Sequence, residues 1–120
     1  MDPRHKKRIE IVQNLYAHGF LLKEKGLPFP LDKTTKLIIN QSLSIDRLIE
    51  TNAPRFSLDK IAKIDLAILR LAIYELTIEK KQPQKVIINE AVELAKELGG
   101  EKSFSFVNAV LGKIAITTKI

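Results

Sequence analysis

Five consecutive ionisable residues, Arg4-His5-Lys6-Lys7-Arg8, open this chain. Cations packed this tightly neutralise phosphates and release their counterions. By charge alone the same cluster is equally a solubilising tail. The other chemistry-bearing residues point away from catalysis. His5 and His18 lack a carboxylate at metal-ligand spacing, so His5 reads as part of the basic cluster and His18 as a surface residue. Glu90, Glu93 and Glu97 recur at helical surface spacing with Lys96 among them, the pattern of a solvated charged face. No phosphate loop, nucleophile elbow or HExxH pattern occurs. Arg70 sits within an apolar run and needs a carboxylate, with Asp46, Glu90 and Glu93 as candidates. Asn89 and Asn108 interrupt apolar stretches, where buried amides normally satisfy backbone groups. Phe104 and Phe106 flank a helix start beside Lys102. Either packs in the core, with Phe106 the better fit, or one stacks an unpaired base.

Composition narrows the class. The 120 residues predict one domain, and the absence of cysteine excludes disulfides and thiolate metal sites. No cofactor is expected. Twenty basic residues face fourteen acidic ones, for a net charge of +6, and residues 1–36 carry eight basic against four acidic groups. No apolar run is long enough to span a bilayer and MDPRHKKR is not a signal peptide, so the cytoplasm is the expected compartment.

The elements that must position these residues all read as helices. Ile9, Val12, Leu15, Tyr16, Gly19 and Phe20 mark one face of a helix over residues 4–22. KGLPFP is a loop. Asp32 caps a second helix carrying Leu37, Ile38, Ile45, Leu48 and Ile49. Residues 61–78 are apolar nearly all round and belong at the domain centre, after a cap at Ser57 and a break between residues 60 and 65. Tyr74 and Glu75 lie at the end of this helix, where either can reach the surface. Ile88, Ala91, Val92, Ala95 and Leu98 define an amphipathic helix that Gly99-Gly100 should stop with a left-handed cap. Ser103 caps the last helix, whose core stripe is Val107, Val110, Leu111 and Ile114. The expected fold is all-α: a compact bundle around a central apolar helix with a shortened N-terminal subdomain. One domain over residues 1–120 is expected, with helical parts at about 1–52 and 57–116.

The ordered blocks VQNLY, ID-x-LI at 45–49, DLAILRLAIYEL at 65–76, VIINEAVELAKELG at 86–99 and S-x-x-FVNAVL at 103–111 resemble the NusB family along nearly the whole chain. The resemblance implies two small helical bundles without catalysis. It also implies binding to boxA-type single-stranded RNA jointly with NusE, a small-subunit ribosomal protein, on the RNA polymerase elongation complex. Mapped onto this sequence, the RNA-binding set is Arg4, His5, Lys6, Lys7, Arg8 and Tyr16 with the Glu101-Lys102-Ser103 loop. The partner-facing set is Tyr16 and Asp65. Departures are the short proline-bearing segment before Asp32, which implies two substantial N-terminal helices, Ala109 for the usual glycine, Gly112 for an acid, and Lys102 at a position often acidic. The rivals are a protein-interaction module like the accessory domain of RNA methyltransferases, and a homodimer that masks both surfaces.

Overall fold

Asp2 accepts a hydrogen bond from the Arg4 N–H, and Pro3 occupies the first turn, where its missing N–H costs nothing. The helix they start, α1 (Pro3–His18), opens an all-α chain in the computed structural model, which describes residues 2–20 and 26–118. The helix ends at His18 with a turn at Gly19-Phe20, short of the expected end near Leu22, a residue that lies outside the described ones. It buries Ile11, Val12 and Leu15, while Tyr16 and Phe20 remain exposed, so the buried face is rotated from the expected one.

Asp32 caps α2 (Lys33–Asn40) by accepting from the Thr35 N–H at 3.0 Å. The expected single second helix is two, because the chain turns at Gln41 before α3 (Ser42–Asn52). The apolar spacing continues across the turn, so periodicity alone conceals it. A short 3-10 turn (Leu58–Lys60) and an extended Ile61-Ala62 link produce the anticipated break before α4 (Lys63–Tyr74).

Nine of the twelve α4 residues are buried. A helix apolar on all sides requires neighbours on all sides, and α1, α3, α5 (Gln84–Leu98) and α6 (Ser103–Thr117) supply them. Residues Glu75–Glu79 continue α4 as a π-helical turn, closed by a 2.9 Å bond from the Lys80 N–H to the Glu75 carbonyl. Tyr74 and Glu75 are buried at this junction, not surface-reaching.

The α5–α6 corner corrects a second expectation. No described glycine has positive φ, and Gly99 is extended (φ −94°, ψ −172°), so the helix does not end in a left-handed cap. Glycine is required by space instead. A Cβ there would lie 2.5 Å from the Ser103 Cβ and Oγ and 2.7 Å from the Ala95 carbonyl oxygen. Ser103 does not cap α6 either: it is the first helical residue, and its Oγ accepts the Gly100 N–H at 2.9 Å. Gly99→Ala should therefore cost about 1–3 kcal/mol through overpacking, measured as a lower urea midpoint. An unchanged midpoint would show that Ser103 swings aside freely.

The core stripe of α6 is buried as expected, and on α5 it falls on Ile87, Ala91, Leu94 and Ala95. Ala109 is exposed and a Cβ on Gly112 would meet nothing within 4 Å, so both departures face outward. Arg70 pairs with Asp46 through bonds of 2.9 and 3.1 Å, one of the three partners anticipated. Asn89 and Asn108 are exposed. The buried amides are Asn14, which accepts from the Phe29 N–H at 3.0 Å, and Asn52, which accepts from the Thr117 hydroxyl at 3.1 Å and so ties α3 to α6.

Candidate nucleic-acid and partner surfaces

The basic cluster is divided by the helix that carries it. Residues three apart share a helical face, so His5 and Arg8 point one way and Arg4 and Lys7 another. His5 and Arg8 point inward. The His5 Nδ1 lies 2.8 Å from Glu90, and its Nε2 lies 2.9 and 3.0 Å from the two Glu97 oxygens. Hydrogen bonds to Glu90 and then Glu97 raise the imidazole pKa above its ordinary value, favouring the cation. Arg8 is buried and forked onto Glu75, with Nη2 at 2.7 Å and Nε at 3.1 and 3.2 Å from the carboxylate oxygens. Glu90 and Glu97 thus clamp α1, which corrects their reading as a solvated face.

Arg4, Lys6 and Lys7 point outward. All three are exposed; Arg4 lies 3.6 Å from Asp2 and Lys7 lies 3.3 Å from Asp32. Such open pairs are weak and exchange readily for a phosphate. The cations that can meet a ligand directly are therefore three, with His5 and Arg8 anchoring the helix beneath them.

The second expected group assembles around the N-terminus of α4. Asp65 is not on an exposed face: its relative exposure is 7%, and its Oδ1 has no hydrogen-bond partner among the described residues. Burial pushes its carboxyl pKa up, with the Ser103 hydroxyl partly offsetting this. It lies at the wall of a cleft of about 590 Å³ lined also by Phe56, Lys60, Ile64, Lys102 and Phe106. Lys102 and Glu101 are exposed, whereas Ser103 is buried. The loop expected to meet RNA and the acid expected to meet a protein thus line or border one groove.

Tyr16 is 40% exposed and meets Phe20 edge-on, with ring centroids 5.1 Å apart. The Lys63 ammonium lies 5.1 Å from the Phe20 centroid, which brings this pair to the same end of α4 as Asp65. Lys60, Lys63 and Phe56 join this region without any motif to mark them, and Phe20 has only its place in the helical repeat. The one available signal is Lys60 and Lys63 flanking the break before α4. Among the described residues no group of acids and histidines is arranged to hold a metal ion, and no helix is long and apolar enough to cross a membrane.

The profile of the NusB family matches residues 5–116. The chain belongs to the NusB family. The transcription antitermination protein NusB of Agathobacter rectalis is 46% identical over 85 residues, covering 71% of this chain and 65% of that protein. The NusB protein of Acetivibrio thermocellus is 47% identical over 93 residues, covering 78% of this chain and 63% of the relative. The match to the Clostridium botulinum (strain Kyoto) NusB, 50% over 70 residues, covers 58% of this chain and only 49% of that protein. The chain thus spans about half to two-thirds of the length of these curated relatives. T. maritima NusB superposes with a TM-score of 0.80 at 33% identity, over 95% of this chain and 91% of the other. A chain in the crystal structure of a plectonemic RNA supercoil shares the fold, with a TM-score of 0.84 at 23% identity over 99% and 98% of the two chains. The NusB fold is therefore present nearly end to end.

Proposed function

We propose that this chain acts in transcription antitermination and ribosomal RNA synthesis by binding, not by catalysis. It engages boxA-type single-stranded RNA jointly with NusE and connects both to the RNA polymerase elongation complex. The observation that carries the reading is the division of α1: Arg4, Lys6 and Lys7 are presented to solvent on a helix fixed from behind by Glu75, Glu90 and Glu97. A rigid row of cations suits a phosphate backbone better than a mobile tail does, because less order is lost on binding. Lys102 and Tyr16 extend the surface, with Glu101 at its rim. Ser103 contributes by holding the loop shape. For NusE the reading places the groove beside Asp65 and the exposed ring of Tyr16 at the interface.

Titration of boxA-type RNA at several salt concentrations, with and without NusE, tests the whole scheme. Arg4→Ala with Lys6→Ala should weaken binding and flatten the slope of log K against log salt by about 0.7 per lost contact on a single strand. Melting should be unchanged. An unaltered slope would remove these residues from the RNA backbone, and the absence of any NusE effect would remove joint binding.

A further inference from the structure

Two phenylalanines stand two residues apart at the start of α6, and the fold treats them differently. Phe106 turns to the domain and meets Phe56 edge-on, with centroids 5.5 Å apart. Phe104 stays outside with 42% of its surface exposed. A single exposed apolar residue is ordinary and proves nothing by itself. Here, however, the Lys96 ammonium lies 5.6 Å from the Phe104 ring centroid, a cation–π arrangement reaching across from α5. Lys102 is exposed within one helical turn, and Lys96 shares its charge with Glu93 only in an exposed pair at 3.6 Å. The preceding residues bind this corner to α1: Glu97, which clamps His5, is the neighbour of Lys96 along α5. Arg4 and Lys7 border a different cleft, with Glu79, Lys81 and Gln82 before the start of α5, so the Phe104 corner is a separate feature with its own cations, Lys96 and Lys102.

We infer that Phe104 is a stacking platform for one unpaired RNA base, with Lys96 and Lys102 receiving the adjoining phosphates. This rests on the RNA-binding reading and adds a residue of a different kind to it. A phenyl ring offers a face to any base, whereas the cations recognise only the backbone. The other exposed rings each meet a second ring: Tyr16 and Phe20 pack edge-on beside Lys63, and Phe56 packs on Phe106. Phe104 is held by Lys96 alone, at the end of a rigid fifteen-residue helix. Its position costs no ordering when a base arrives.

Stacking and counterion release have different signatures, so the inference separates cleanly from the reading beneath it. Phe104→Ala should weaken binding of a boxA-type RNA oligonucleotide by roughly five- to a hundred-fold with the salt slope unchanged. Phe104→Tyr should restore most of it, and thermal melting should not move, because the ring is outside the core. The chain has no tryptophan, so Phe104→Trp supplies a single reporter whose fluorescence should be quenched as RNA saturates the protein. Replacing the bases one at a time with abasic sites should reveal one position whose loss weakens wild type but not Phe104→Ala. Wild-type affinity in Phe104→Ala, or an indole of Phe104→Trp that stays unquenched at saturation, overturns the platform while leaving the cationic surface intact. Loss of NusE binding with full RNA binding overturns it in favour of a protein contact. Failure of the wild-type protein to bind RNA in a salt-dependent way removes both.

Discussion

Arg8→Ala should destabilise the fold by about 3–5 kcal/mol, the range for removing one partner of a buried ion pair. The guanidinium and the Glu75 carboxylate are 8% and 7% exposed and joined by three hydrogen bonds of 2.7 to 3.2 Å. Truncation leaves a carboxylate buried at the α1–α4–α5 junction with its nearest cation gone. The loss is a large share of the roughly 5–15 kcal/mol that holds a domain folded. Replacing the pair together, Arg8→Met with Glu75→Leu, should recover much of it, since neither charge then remains unpaired. Urea unfolding of the two variants gives the answer. An Arg8→Ala protein that unfolds like wild type and yet fails to bind RNA would put the side chain on the ligand surface after all.

Asp65→Lys should also damage the fold, by several kcal/mol, contrary to what an exposed position would allow. The new ammonium would occupy a buried site at a groove already lined by Lys60 and Lys102, where an unpaired charge is costly. Asp65→Asn should do the reverse and raise stability at neutral pH by about 1 kcal/mol, by removing a buried charge that lacks a full set of partners. The pH dependence carries the same sign. Burial raises the folded pKa above 3.8, so the folded state binds the proton more tightly than the unfolded state. Stability from this group therefore falls as pH rises from the unfolded value through the raised one, and is level above it. The asparagine variant should lose that component. A variant less stable than wild type at pH 7 would mean the carboxylate has a partner. Because Asp65→Asn keeps the side-chain shape, NusE affinity measured on it separates a recognition role from a folding role.

Most helix positions are legible because the helix carries its own apolar repeat and a local start or stop. Asp32, the turn before α4 and the Val107–Ile114 stripe can be placed from local pattern alone. The Gln41 turn cannot, since Ile38, Ile45 and Ile49 keep helical spacing through it. Nor can the π turn at Glu75–Glu79, which has no glycine or proline to announce it. Gly99 is legible as a stop but not for its cause: the neighbour that demands glycine is Ser103, across the corner.

The candidate surfaces are half legible for a related reason. Composition reveals five ionisable residues at 4–8, and helical spacing pairs His5 with Arg8 and Arg4 with Lys7. Which pair faces inward is decided by acids 67 to 92 residues away in the chain. Asp65 is assigned to a partner-facing surface by the resemblance alone, and nothing in its local sequence shows that it is buried at a cleft wall with Phe106 and Ser103.

The same long separations set an order of assembly. A chain made from its N-terminus produces the cations first and the acids that orient them last. His5 waits 92 residues for Glu97, and Arg8 waits 67 for Glu75. Before α5 is made, α1 can already pack on α4 and pair Arg8 with Glu75, but His5 still lacks Glu90 and Glu97. Docking of α5 then adds the second set of anchors, Glu90 and Glu97 on His5. The orientation of the α1 cations is thus completed late, by acids 85 and 92 residues further along the chain.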